Sequence, residues 1–421
     1  MIDRIRFYLN RLQERLWVRP LLFCLLSVAA AFLARSTDDW GIGRLVPDLT
    51  ADSITTLLSI MSSSMLVIAT FAVGSMVSAY SSASRIATPR SLPLVIADDV
   101  SQNALSAFIG AFIFSIIALV AMENGFYEKT GRFTVFVFTL LMFAVVVITF
   151  VRWVDKIARL GRMGNTVEKI EAAAVRSLQR RRQAPTMCAL HSLEDPGAMT
   201  TVQDTEVGYL QRIDLPELQK VASNLNTRIQ IEALPGTYLA PGRVLAKVEN
   251  VEALLSENDI DTIRTAFIIG RDRTFDDDPR FALITLSEIA SRALSPAVND
   301  PGTAIEVIGT LLRLFVNWSK PVSAAERSEL EFDRIAVPEL STEDLFIDGF
   351  GSITRDGAKL AEVMIRLLKA FATLSHCGNE DMREQALRQA RLALARAEQE
   401  IDYTADLEAV RKAAQFVTEQ D

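Results

Sequence analysis

The spacing of apolar and polar positions changes character once along this chain, near residue 155. From Leu21 to Val151 the charged residues fall almost entirely between long apolar runs, whereas from Asp155 onward they recur every few residues. A helix needs about 20 apolar residues to cross a hydrocarbon layer of about 30 Å. Three runs meet that test, 54–80, 104–122 and 133–154, and none carries a charge before its last few positions. An earlier run, LLFCLLSVAAAFLA at 21–34, is shorter and follows an arginine-rich stretch, as in a secretory signal. The 20 residues before it are long for a signal's basic region, so a retained span over about 17–35 is the preferred reading, with cleavage as the alternative.

Before that run, Ile2, Ile5, Leu9, Leu12 and Leu16 share one helical face while Arg4, Arg11 and Arg15 lie elsewhere. This predicts an amphipathic helix over 1–20 lying on the membrane surface, with Trp17 and Arg19 at headgroup level. Basic residues then set the orientation. Arg4, Arg6, Arg11, Arg15 and Arg19 precede the first span, and Arg152, Lys156, Arg159, Arg162, Lys169 and Arg176 follow the fourth. The loop 35–53 carries Asp38, Asp39, Asp48 and Asp52 against Arg35 and Arg44. The positive-inside rule therefore places both termini in the cytoplasm, and loss of the first segment leaves the other three spans in the same orientation.

Past the membrane domain (21–154) the pattern predicts a helical linker over 155–185, read together with the end of the fourth span as one long helix. Its closing Arg180-Arg181-Arg182 reads as a solvated helix end. Residues 186–270 alternate in short strands broken by the turn pairs Pro235-Gly236 and Pro241-Gly242, which predicts a small β-rich module. Residues 271–421 read as a helical cytoplasmic domain. The fold class expected is a membrane all-α part with about four transmembrane helices, followed by a mixed α+β, mostly helical, cytoplasmic domain with a small barrel-like β module. That module is similar to half of a lipoyl- or biotinyl-type barrel. It lacks the lysine in a tight hairpin between two methionines, so covalent cofactor attachment is not expected.

Composition sharpens this division. A mean hydropathy of +0.22 together with 23 % charged residues fits two kinds of sequence joined end to end. A net charge of −8 excludes the concentrated basic surface of a nucleic-acid binder. Three cysteines, Cys24, Cys188 and Cys377, are too scattered for a disulfide framework. The chain has no GxSxG, phosphate loop, GxGxxG or HExxH. Cys188-x-x-His191 with His376-Cys377 offers the ligand types of a zinc site, but an adjacent His-Cys pair is awkward for one tetrahedral ion. No enzyme, no cofactor and no metal site are expected.

Two sets of residues stand out as candidates. In the second span, Ser59, Ser63, Thr70, Gly74 and Ser78 form one small hydroxylated stripe with a gap near Leu66. Such a stripe suits a water-lined pore wall in a ring of subunits, and, as the commoner use, a seam for close helix packing. Mid-depth of spans two to four holds no ionisable group, which argues against a transporter built on a buried carboxylate. The second set surrounds ALSPAVNDPGTA (293–304), where Ser295-Pro296 stops one helix and Asp300 caps the next with Pro301 in its first turn. Arg271, Arg273, Asp277, Asp278, Arg292, Ser295, Asn299 and Asp300 lie close by in sequence, as a subunit bridge or an effector site for an ion or small anion.

RTFDDDPRF (273–281), ALSPAVNDPGTA and the SRIATPR loop (84–90), following four spans, resemble a widespread family of predicted bacterial membrane proteins catalogued as a domain of unknown function. That loop more often reads Ser-Pro-Arg in the family, where this chain has Thr88-Pro89-Arg90. The resemblance implies the four-span topology and a bacterial inner membrane location; it implies no activity. The functional expectation is a homo-oligomeric, channel-like pore with a cytoplasmic gating or assembly domain, a plan similar in architecture to bestrophin-type channels. The alternative is a membrane-anchored sensor or scaffold. The partners expected are the lipid bilayer and further copies of the chain, with no nucleic acid.

Overall fold

The computed structural model describes residues 17–40, 46–86, 88–96, 99–160, 163–194, 197–249 and 255–418. The amphipathic helix expected before residue 17 lies outside them. The chain divides into two compact units, Met1–Thr166 and Val167–Asp421.

In the first unit the apolar runs form α1 (Val18–Ser36), α2 (Ala51–Ile86), the short α3 (Leu92–Ile96), α4 (Asp99–Glu123) and α5 (Lys129–Leu160). Among the described residues, α1, α2, α4 and α5 are the helices long and apolar enough to cross a membrane. α4 is their hub: it packs on α1, α2 and α5, and half of its most apolar window is buried, against 28 % or less in the others. Small residues make this possible. Ala104, Ala107, Gly110, Ala111 and Ala118 are buried along α4, and a Cβ at Gly110 would stand 3.2 Å from both Phe23 Cβ and Ser27 Oγ of α1.

Polar ties clamp both ends of the bundle. Asp38, just beyond α1, accepts the backbone N–H groups of Glu128 (3.0 Å) and Gly131 (2.6 Å) at the start of α5, and also Arg35 Nη1 (3.0 Å). It thus fills the orphan donors that every helix N-terminus leaves. At the start of α1, Arg19 reaches Asp99 (2.6 Å) and Asn103 (3.0 Å) of α4. α5 is described as far as Leu160 and α6 as Met163–Gln183, and the junction on which the expected single helix turns lies outside the described residues.

The second unit takes up α6 from Val167 and continues with β1 (Ala189–Leu190), β2 (Met199–Gln203), β3 (Gly208–Ile213), α7 (Leu215–Asn224), β4 (Ile229–Ile231), β5 (Tyr238–Leu239), β6 (Val244–Glu249), α8 (Glu257–Thr265) and β7 (Phe267–Gly270). Beyond these come α9 (Pro279–Ala293), α10 (Pro301–Trp318), β8 (Phe332–Ala336), α11 (Thr342–Asp356), α12 (Ala361–Leu374), α13 (Glu380–Glu400), α14 (Thr404–Ala413) and α15 (Gln415–Thr418). The strands form two open sheets, ordered β1-β8-β4-β6-β2 and β5-β3-β7, and no barrel closes among the described residues. The barrel expectation is corrected here: local turn signals set the hairpins, whereas closure needs a register between distant edges that no local pattern carries. β8 comes from beyond residue 270 and runs parallel to both of its neighbours. Ile229, Ile231, Leu245, Val248 and Ile335 bury one core with α7. The helices build a second around Phe315, Phe346, Phe350 and Phe371, whose rings lie 4.7–6.3 Å apart between centroids.

Candidate functional site

In α2 the buried edge is Ile54, Leu58, Met61, Met65, Ala69, Ala72 and Met76. Ser59, Ser63, Thr70, Gly74 and Ser78 are all exposed, on the opposite edge, about 160° round the helix at 3.6 residues per turn. A Cβ added at Gly74 would meet nothing within 4 Å. Among the described residues the stripe therefore takes no part in packing within one chain. Two of its hydroxyls are satisfied locally: Ser63 Oγ donates to Ser59 O (2.9 Å) and Thr70 Oγ1 to Leu66 O (2.9 Å). Such back-bonding lets a hydroxyl face hydrocarbon, water or another helix without a cross-helix partner.

The acidic run and the corner occupy different surroundings. Asp278 is 1 % exposed and caps α9, accepting from Phe281 N (3.2 Å), while Arg273 grips it with Nε at 2.7 Å and Nη2 at 3.0 Å. The Arg273 guanidinium also lies 5.4 Å from the centre of the Phe281 ring. The turn at Gly236 (φ +94°) passes so close that a Cβ there would come within 2.7 Å of both members of the pair. Asp277 faces Arg180 (3.7 Å) and Arg212 (4.0 Å), and Arg180 donates to the Asp276 carbonyl. Burial pushes Asp277 and Asp278 up from the usual carboxylate range, and these arginines oppose that push. Arg181 is only 6 % exposed, and desolvation brings its pKa down to about 10. The arginine triplet is therefore not a solvated helix end. α6 carries it to the acidic run 96 positions later, a pairing with no local signature.

The corner itself is a tight exposed turn. Asp300 N donates to Ala293 O (2.8 Å), Asn299 adopts φ +49°, and Val298 is 52 % exposed. Asp300 caps α10 by accepting from Thr303 N (3.1 Å) and Thr303 Oγ1 (2.6 Å), which holds its carboxyl below the usual range. Ser295 Oγ donates to Arg292 O (2.6 Å). Arg273, Asp277 and Asp278 thus belong to a buried charge cluster, while Arg271, Arg292, Asn299 and Asp300 are surface residues. Arg180, Arg181 and Arg212 join that cluster without any local pattern that marks them as members. Among the described residues no group of three or more His, Cys, Asp and Glu side chains is arranged to hold a metal ion. His191 faces Glu339 at 3.6 Å, and His376 Nδ1 lies 2.7 Å from the Ala372 carbonyl.

A family described as "Predicted membrane protein (DUF2254)" matches residues 13–373. The chain belongs to this family. The DUF2254 match runs from the start of the membrane unit almost to the end of α12, so the four apolar helices, both sheets and the corner all lie within it. Uncharacterized proteins of Mycobacterium bovis and of two Mycobacterium tuberculosis strains are each 28 % identical to it over 222 residues, 50 % of this chain and 42 % of theirs. The chain spans less than half the length of these relatives. No solved structure matches it. The protein is a DUF2254 membrane protein whose apolar helices associate with the lipid bilayer.

Proposed function

We propose that copies of this chain assemble with the outward edge of α2 turned toward a common axis, forming a channel-like pore that the soluble unit gates or helps to assemble. One observation carries the reading: the hydroxylated stripe lies opposite the packed edge of its own helix and is free to meet other copies. A stripe of serine and threonine in an otherwise apolar helix is suited to replace part of an ion's hydration. The basic residues flanking the first and fourth spans support a bacterial inner-membrane orientation with both termini cytoplasmic. The role is one of passage rather than catalysis, and the permeant species is an ion or small anion.

Conductance of the purified chain in planar bilayers tests this directly. Wild type gives discrete current steps and Ser63→Leu abolishes them, because an isobutyl group in place of the hydroxyl closes a narrow wet path. Disulfide trapping of Thr70→Cys between copies gives covalent dimers. Absence of current from wild type removes the pore and leaves the anchored sensor or scaffold. A reporter fused after Asp421 that is active outside the cytoplasm overturns the orientation.

A further inference from the structure

The soluble unit holds a cavity of about 600 Å³ where the end of α6, the end of α10 and the start of α13 come together. That volume falls within the range of roughly 300–1,000 Å³ found for small-molecule sites. Three cationic side chains, Arg181, Arg182 and Lys320, stand in its wall with the indole of Trp318. Arg181 makes one long hydrogen bond, 3.4 Å from Nη1 to the Pro185 carbonyl, and no ion pair among the described residues, although it is almost wholly buried. Asp277, Asp278 and Glu339 act on it at longer range and do not offset its desolvation, which leaves its pKa lowered.

Arg182 donates through Nη1 to the Asn317 carbonyl, yet its Nε is buried with no hydrogen-bond partner. A buried N–H of a cation left unpaired is costly. Lys320 Nζ, held at 2.8 Å by Asn317 Oδ1, stands beside it. The 21-residue helix α13 begins at this cavity, where Asn379 caps Met382 N (3.1 Å) and Glu380 and Asp381 occupy the first turn. Trp318 walls both this cavity and an adjoining one of about 250 Å³, which shares Arg182 and Lys320. A flat ring and an anion can therefore be held side by side.

We infer that this cavity binds a nucleotide, with its phosphate between Arg181, Arg182 and Lys320 and its base against Trp318. Glu339 and Asp381 are the acidic groups in the wall, placed to accept from ribose hydroxyls or an exocyclic amine. Three cationic and two anionic side chains suit one phosphate rather than a triphosphate.

Isothermal titration calorimetry on the full chain in detergent tests this with AMP, adenosine, glycerol 3-phosphate and inorganic phosphate as probes. AMP binds saturably and about tenfold or more tighter than each of the other three, because each of them lacks the base or the phosphate. Lys320→Gln weakens AMP and glycerol 3-phosphate alike, by about tenfold, and Trp318→Ala weakens AMP while leaving glycerol 3-phosphate unchanged. Lack of saturable AMP binding up to about 1 mM overturns the inference. Binding of glycerol 3-phosphate or inorganic phosphate as tight as that of AMP also overturns it, since the site then takes a headgroup-like or free anion. Undiminished AMP affinity in both variants does the same.

Discussion

Along α2 the hydroxyls of Ser63 and Thr70 return to carbonyls one turn back, so that surface is complete in itself. In the second unit, by contrast, Arg280 of α9 reaches Asp344 (2.6 Å) and Asp348 (2.5 Å) of α11, and Arg180 reaches the acidic run from α6. The first arrangement costs the fold nothing to alter, because no distant element among the described residues relies on it. The second ties elements far apart in sequence, so changing one member strands another. Substitutions in α2's stripe therefore report on function, and substitutions in the charge cluster report on stability.

The largest effect expected is for Asp278→Ala. It removes the counter-ion of a mostly buried Arg273 and the cap of α9 together, and costs about 3 kcal/mol. Thermal unfolding of the full chain in detergent measures it, and a loss below about 1 kcal/mol breaks the contrast. Asp38→Ala comes next at about 1–2 kcal/mol, since two backbone donors at the start of α5 lose their acceptor. It shows that the membrane unit too has a long-range tie, at its loops rather than on its outward face.

Asp300→Ala costs at most about 1 kcal/mol through the α10 cap. Because Thr303 holds the Asp300 carboxyl below its usual range, that contribution is full above the unfolded value near about 3.9 and is lost as pH falls through the lower folded value. Asp300→Asn keeps a capping side chain and loses the pH dependence, which melting curves at descending pH detect. The smallest effect is for Thr70→Val, within about 0.5 kcal/mol of wild type. A larger loss in a lone chain means the stripe packs on something within it.

Much of this was legible in the sequence, and for physical reasons. Runs of apolar residues long enough to span hydrocarbon have few other uses, so α2, α4 and α5 stood out, and Ser-Pro followed by Asp-Pro dictated where α9 stops and α10 starts. Asp300 capping α10 follows from residue type and spacing alone. The partners of Asp277 did not, since Arg180 and Arg212 lie far upstream and nothing local distinguishes them from solvated arginines. The sheets were half legible for the same reason: the turns at Gly236 and Gly242 belong to the local code, whereas the place of β8 does not.

That place has a consequence for how the protein is made. β8 fills the slot between β1 and β4, and it is synthesised some hundred positions after β4. Until it emerges from the ribosome, two strand edges stand open with their amides unpaired, the state most prone to pair with a neighbouring chain. Maturation of the second unit is therefore a late, long-range closure rather than a strand-by-strand accretion. Messages truncated ahead of Phe332 yield products that aggregate even though every membrane span has already been made.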